Sequence, residues 1–317
     1  MGTGKMETAI VFPGMGPSRF QDVAKFLLIN PIARRLVAEA DEALGYSLFD
    51  RYQDADGDYS EYAQVAFLVA CVALAEWALG TGVGEGEVCA GPSFGGKAAA
   101  VYSGALGFAD AVRLTAGLAR CEEEYFSREH TDVVTQSFIR LPSERLGEVL
   151  GELAANGDWF EVSCYVDEDF HMVSLREDRV EWFQQRLRGL GGFPLYSMKP
   201  PLHCAAFAGL REKAELEVFA GVEFADPVLP VVADQDGAVL ETAAAVRGML
   251  LDGFVRPVRW PAVVATMSTL GVRKMVVAGQ DAIFGRVGCT TRNFEVVALN
   301  PRMAMRPRPR SRATAAV

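Results

Sequence analysis

Apolar and polar positions along this chain switch between a helical period and short unbroken apolar runs, the pattern of an α/β protein. Residues 8–12 are a short apolar run that ends in a glycine turn, as a buried strand does. Residues 31–44 and 62–79 repeat their apolar positions with a helical period. Asn30-Pro31 puts a capping side chain and a first-turn proline at the start of the first of them. Residues 87–90 read as a second short strand, 96–102 as a helix directly after it, and 108–125 as an amphipathic helix. Strands near 228–232 and 274–277 return to the same pattern late in the chain.

Between about 129 and 195 the pattern changes. Residues 133–141, 159–166 and 171–175 alternate like strands, whereas 144–155 and 178–190 have helical spacing. That βαββα order suits a small ferredoxin-like insert. The predicted organisation is therefore a large α/β domain over 7–128 and 196–300, interrupted by a small subdomain at 129–195. Residues 301–317 mix Arg, Pro, Ala and Ser and are expected to be a disordered basic tail. No internal repeat is visible.

At 317 residues and 50% hydrophobic content, the chain can bury a sizeable core. Its net charge of −10 conceals an asymmetry, because residues 301–317 hold five arginines and no acid; removing those charges leaves a body near −15. Such a body argues against general nucleic-acid binding. Cys71, Cys89, Cys121, Cys164, Cys204 and Cys289 are scattered, with no Cys-x-x-Cys pair. That is not metal spacing, and their apolar settings fit reduced core thiols. Residues 1–7 lack the apolar centre of a secretion signal, and the longest apolar stretch, 65–79, is short of a membrane span and holds Glu76. These features predict a cytoplasmic protein without metal, nucleic acid or membrane.

The most informative segment is Gly91-Pro92-Ser93-Phe94-Gly95. Gly-x-Ser-x-Gly describes a sharp strand-to-helix turn in which small residues let the backbone crowd together, the serine Oγ stands clear, and the following N–H faces a developing oxyanion. A serine of ordinary pKa needs a base, and histidine titrates closest to neutrality. Of the three histidines, His130 sits in a charged, solvated run, and His171 follows Asp167-Glu168-Asp169 at what looks like a hairpin edge. His203 lies in Lys199-Pro200-Pro201-Leu202-His203-Cys204, a proline-stiffened approach to a helix that suits a fixed imidazole.

With these residues in view, the chain resembles the malonyl-CoA:acyl-carrier-protein transacylase family, which includes the acyltransferase domains of polyketide synthases. Val11-Phe12-Pro13-Gly14-Met15-Gly16 matches its Phe-Pro-Gly-Gln-Gly element, and Tyr62-Ala63-Gln64-Val65-Ala66 its Thr-Gln-Pro-Ala element. Residues 91–96 match the Gly-His-Ser-Leu-Gly-Glu motif, Leu202-His203-Cys204 the histidine segment, and Arg256-Pro257-Val258-Arg259-Trp260 the Asn-Pro-Val-x-Trp element. The resemblance spans nearly all of residues 7–300 and implies an α/β-hydrolase-like acyltransferase domain with a ferredoxin-like insert. It further implies Ser93 as nucleophile, His203 as base, backbone N–H groups of Met15 and Phe94 as oxyanion donors, and a main-chain carbonyl near Gly253 that orients the histidine. The chain itself binds no cofactor on this reading; the acyl group rides on the phosphopantetheine arm of an acyl carrier protein, which serves as donor and as acceptor.

Departures from the family bear on the substrate. The family's carboxylate-binding arginine falls here on Leu118, and a malonyl carboxylate brought against leucine would be buried without a counter-charge. The segment before the histidine, Pro200-Pro201-Leu202, is neither of the forms that accompany malonyl or methylmalonyl choice. Gln64, Leu118, Pro201 and Leu202 are thus expected to line an acyl pocket with altered selectivity. The chain is similar to stand-alone acyltransferases of macrolactam polyketide pathways in antibiotic biosynthesis, which implies an aminoacyl or dipeptidyl group. Docking of an acidic carrier protein on an acidic body requires a local cationic patch, for which Lys199, Arg286 and Arg292 are candidates. An editing thioesterase with the same pair, and a non-catalytic docking protein, are the alternatives.

Overall fold

The structure is a computed structural model in which residues 6–306 are described. In chain order its strands are β1 (Thr8–Val11), β2 (Val88–Ala90), β3 (Val133–Ile139), β4 (Phe160–Asp167), β5 (Phe170–Arg176), β6 (Phe193–Met198), β7 (Val231–Val232), β8 (Val239–Leu240), β9 (Val258–Arg259), β10 (Lys274–Ala278) and β11 (Glu295–Leu299). They form a six-stranded sheet in the order β11-β10-β1-β2-β7-β8 and a five-stranded sheet in the order β6-β3-β5-β4-β9. The first sheet is parallel except for the β7–β8 pair. β1 lies at its centre and is buried on both faces: Ile10 packs into one core, Ala9 and Val11 into another. This is why its sequence reads as an unbroken apolar run.

The helix Glu61–Leu79 forms the spine of the larger core. It starts four residues before the apolar stretch read from sequence. By length and composition alone it could cross a membrane, but 78% of its most apolar window is buried inside the protein. Helix Pro31–Leu44 begins as predicted, with the Asn30 side chain accepting from the N–H groups of Ile32 and Ala33. All six cysteines are buried free thiols.

In the smaller sheet, β3, β4, β5 and β6 with the helices Ser143–Ala155 and Val180–Gly189 make a βαββαβ unit. Its last strand runs to Met198, past the predicted end at residue 195. Sequence reading missed β6 because its apolar residues face outward, with Phe193 54% and Leu195 39% exposed, and because Pro194 interrupts it. Such a proline is tolerated on an edge strand, and β6 is one. His171 does follow the β4–β5 hairpin turn, but not at an edge: it is 1% exposed on β5, an inner strand paired on both sides. β9, from the large domain, pairs in parallel with β4 and ties the two sheets together. Pro301–Ala304 is a helical turn capped by the Asn300 side chain, where disorder was expected. The rest of the predicted tail, 307–317, lies outside the described residues.

The end of β1 and the turn after β2 meet through bare backbone. A Cβ on Gly95 would stand 2.1 Å from the carbonyl oxygen of Phe12, and one on Gly91 2.1 Å from the carbonyl of Gly95. Gly95→Ala should therefore cost about 3 kcal/mol or more, since main chain cannot give way as a side chain does. Gly147→Ala, in an exposed helix where an added Cβ meets nothing, should instead stabilise by about 0.5–1 kcal/mol. Urea unfolding of both variants checks the contrast; equal effects would contradict the tight approach.

Candidate active site

After β2 the chain turns through Gly91-Pro92-Ser93 into the helix Gly95–Tyr102. Ser93 adopts φ +55°, left-handed backbone that disfavours any residue with a Cβ. Among the described residues only Ser93, His130, Arg140 and His203 are non-glycines with positive φ. Two of these four form one hydrogen bond: Ser93 Oγ lies 2.8 Å from His203 Nε2. Strained backbone at both partners is typical of functional sites, where the surroundings enforce it. Here the enforcing group is visible. The N–H of Ser93 donates to the Asp234 carboxylate at 2.6 Å, and Asp234 is 3% exposed just beyond β7.

For Oγ to donate to Nε2, the imidazole proton must sit on Nδ1. Nδ1 is buried and makes no hydrogen bond of normal geometry. The carbonyls of Gly253 and Arg256 are the acceptors that act on the ring and raise its pKa. The neighbouring N–H of Cys204 donates to the carbonyl of Phe254 at 3.2 Å, fixing the histidine segment against that turn. Burial outweighs the carbonyls and pushes the His203 pKa down to about 4, so the ring is a neutral acceptor at pH 7. Burial pushes Asp234 the other way, up to about 7, against the lowering effect of the Ser93 N–H and of Arg256. Arg256 itself binds Asp236 at 2.7 Å and Asp252 at 3.3 Å.

Ser93 and His203 open into a cavity of about 610 Å³ walled by both sheets' domains. Met15, Phe94, Gly253, Gln64, Leu118 and Leu202 all line it, as expected from sequence. Pro201 does not; it is buried behind the wall, and Pro200 takes its place. The loop at Gly14 comes close to the serine, since a Cβ there would lie 3.7 Å from the Ser93 Cβ. Among the described residues the N–H groups of Met15 and Phe94 donate to no protein acceptor, which leaves both free for an oxyanion.

Of the three docking candidates, Lys199 and Arg286 line the cavity and Arg292 does not. Lys199 is engaged with Glu177 at 2.7 Å and with the carbonyl of Thr131 at 3.1 Å. Arg292 lies 4.0 Å from Asp167 and 3.8 Å from Glu168. Arg302, assigned by sequence to the tail, lines the cavity as well. Sequence reading also missed Asp234, an acid at the end of an apolar strand, where turn residues are common. It missed Lys97 and Glu122 too, both buried on the cavity wall. Their only signal is a charge set among apolar helix positions.

A family model described as the VinK acyltransferase small domain matches residues 137–198. The malonyl CoA-acyl carrier protein transacylase of Escherichia coli O157:H7 is 28% identical over 306 residues, covering 94% of this chain and 97% of that protein. A malonyl-transacylase solved in complex with a type II polyketide synthase acyl-carrier protein is 25% identical, with a TM-score of 0.83 over 94% of this chain and 97% of its own. FabD from Acinetobacter baumannii shares the fold at a TM-score of 0.83 and 21% identity, over 95% of this chain and 96% of its own. Fold and likeness together define an α/β acyltransferase with a ferredoxin-like subdomain. Within that class, the chain is similar over nearly its whole length to malonyl-CoA:acyl-carrier-protein transacylases.

A base with a pKa near 4 stays unprotonated well below neutrality. The acid limb of acyl-enzyme formation should therefore set in near pH 4 and not near the ordinary 6.5 of histidine. Single-turnover loading across the pH range tests this. Because Asp234 titrates near 7, the measurement should be repeated with Asp234→Asn, which keeps an oxygen acceptor for the Ser93 N–H. A limb at 6.5 that survives this substitution would contradict the buried neutral imidazole.

Proposed function

We propose that this protein moves a non-dicarboxylic acyl group between acyl carrier proteins through an ester on Ser93. The observation that carries this reading is the 2.8 Å bond between Ser93 Oγ and His203 Nε2, at a left-handed turn on the wall of a large cavity. His203 takes the hydroxyl proton as Oγ attacks the thioester carbonyl carbon. The C–S bond breaks as His203 returns the proton to the departing sulfur. The oxyanion formed in between accepts from the N–H groups of Phe94 and Met15. In the second half the acceptor's phosphopantetheine thiol gives its proton to His203 and attacks the ester carbonyl. The Ser93–O bond to the acyl carbon then breaks and the hydroxyl is restored. No bound cofactor is required, and the six unpaired thiols fit a cytoplasmic setting.

Leu118 supports a substrate other than malonyl. It is 4% exposed on the cavity wall and offers a carboxylate no hydrogen bond. The carrier-protein partner is favoured by the family and by the relative solved with one. An aminoacyl or dipeptidyl group in a macrolactam polyketide pathway is the reading favoured by the match to the VinK small domain.

Exposure to a panel of carrier-bound acyl thioesters, followed by intact-mass measurement, should add one acyl group to the wild-type protein and none to Ser93→Ala. Malonyl should load at least about 100-fold more slowly than the preferred group, because Leu118 offers its carboxylate no hydrogen bond and Glu122 on the same wall repels it. Acyl mass on Ser93→Ala, or efficient malonyl loading, would sink the proposal. Hydrolysis outrunning transfer to a second carrier thiol would make the protein a thioesterase.

Docking should rest on the cavity-lining cations Arg286 and Arg302, which form no salt bridge among the described residues, on a protein of net charge −10. Because steering by charge is screened by salt, transfer from a carrier-bound donor should slow as salt rises while transfer from a small pantetheine thioester should not. Equal salt sensitivity of the two donors would exclude an electrostatic interface.

A further inference from the structure

Two charged side chains on the cavity wall have no part in the chemistry at Ser93. Lys97 stands one turn after the serine on the helix Gly95–Tyr102 and is 7% exposed; Glu122 stands on the helix Phe108–Phe126 and is 6% exposed. Glu122 lies one turn beyond Leu118 on the same face of its helix. Among the described residues no carboxylate comes within 4.0 Å of the Lys97 ammonium, which instead sits 3.8 Å from the centre of the Phe94 ring. The Gln64 side chain hydrogen-bonds the Glu122 carboxylate, and its amide nitrogen also donates to the carbonyl of Tyr59 at 3.1 Å. Burial lowers the pKa of Lys97 to about 8 and raises that of Glu122, while each favours the charged form of the other.

Buried charges are costly unless paired. These two face the same cavity, of opposite sign, without closing into a direct salt bridge. A plain alkyl chain entering here would bring neither charge a new partner. A lone carboxylate would gain Lys97 but meet Glu122. An ammonium beside an oxygen acceptor satisfies both, the ammonium donating to Glu122 and Lys97 donating to the oxygen. We propose that Glu122 and Lys97 form a receptor for an acyl chain that carries a free amine next to a carbonyl oxygen, as an α-aminoacyl group does. This assignment rests on the reading of Ser93 as the acyl-accepting residue.

The test uses the wild-type protein with pantetheine thioesters of matched length: one with a free terminal amine, its N-acetyl derivative, a plain acyl chain and malonyl. Loading onto Ser93 is followed by intact mass. The free amine should load about 10- to 100-fold faster than the N-acetyl form, the discrimination of one charge-assisted hydrogen bond. Glu122→Gln should bring that ratio close to one, with thermal unfolding confirming that the variant is folded. Equal loading of the amine and its N-acetyl derivative by the wild-type protein would overturn the receptor yet leave the acyl-serine intact, and so would preferential loading of malonyl. Failure of every thioester to add mass would overturn the Ser93 reading, and the receptor with it.

Discussion

A serine at φ +55° does not hold that conformation unaided, and in this protein the Asp234 carboxylate holds it, 2.6 Å from the serine N–H. The same residue accepts at its main-chain oxygen from the N–H of Arg259 at 2.7 Å. Arg259 belongs to β9, the strand that pairs with β4 of the smaller sheet. One aspartate thus fastens the nucleophile turn with its side chain and the junction between the two sheets with its backbone. Displacing it would loosen the serine and the seam in which the cavity lies. Trp260, next along, is fully buried and donates to Thr290 Oγ1 at 2.7 Å, which anchors the chain as it leaves that short strand. The Arg-Pro-Val-Arg-Trp segment is therefore structural at its tryptophan and joins the site to the fold at its arginines.

If Ser93 reacts as proposed, a carboxylate so close to it raises an electrostatic problem. Full ionisation would oppose the oxyanion that forms on the substrate, although it would favour the imidazolium that forms on His203. Burial moves the Asp234 pKa to about 7, where its charge is only partly developed at neutrality. Arg256 lowers that value through space, but its guanidinium is already shared between Asp236 and Asp252. The aspartate keeps its hydrogen bond to the Ser93 N–H in either protonation state, since one of its oxygens remains an acceptor. Position is thereby preserved while the repulsion is moderated.

Much of this was legible in the chain. The capping pair Asn30-Pro31, the apolar run of β1 and the glycines around Ser93 each have a local physical cause, and each appears where its pattern placed it. The Ser93–His203 bond spans 110 residues; what suggested it was the narrow choice of histidines together with an ordered set of family-like segments. Elements that depend on tertiary context were not legible. β6 turns apolar residues to solvent, and β9 is two residues long and exists as a strand only because β4 offers it an edge. Pro201 was expected in the pocket from its place in the family's selectivity segment before the histidine, but Pro200 lines the cavity instead. Asp234, Lys97 and Glu122 carried no motif; their roles follow from what faces them after folding.

The cavity's charges also bear on what the fold selects. With leucine at 118, the helix Phe108–Phe126 offers its charge at Glu122 instead. Four residues along a helix is about 6 Å, so a group that meets this charge sits a full turn away from one that would meet a charge at 118. The sign has changed as well as the place. Lys97, on the helix that follows Ser93, carries the opposite charge, and each of the two favours the charged form of the other. An arginine added at 118 would not recreate a simple dicarboxylate site in this setting, because Glu122 one turn on would compete with the substrate for the new guanidinium. On the proposed reading, selectivity in this cavity rests on the two helices jointly, because a change on one is felt through the charge on the other.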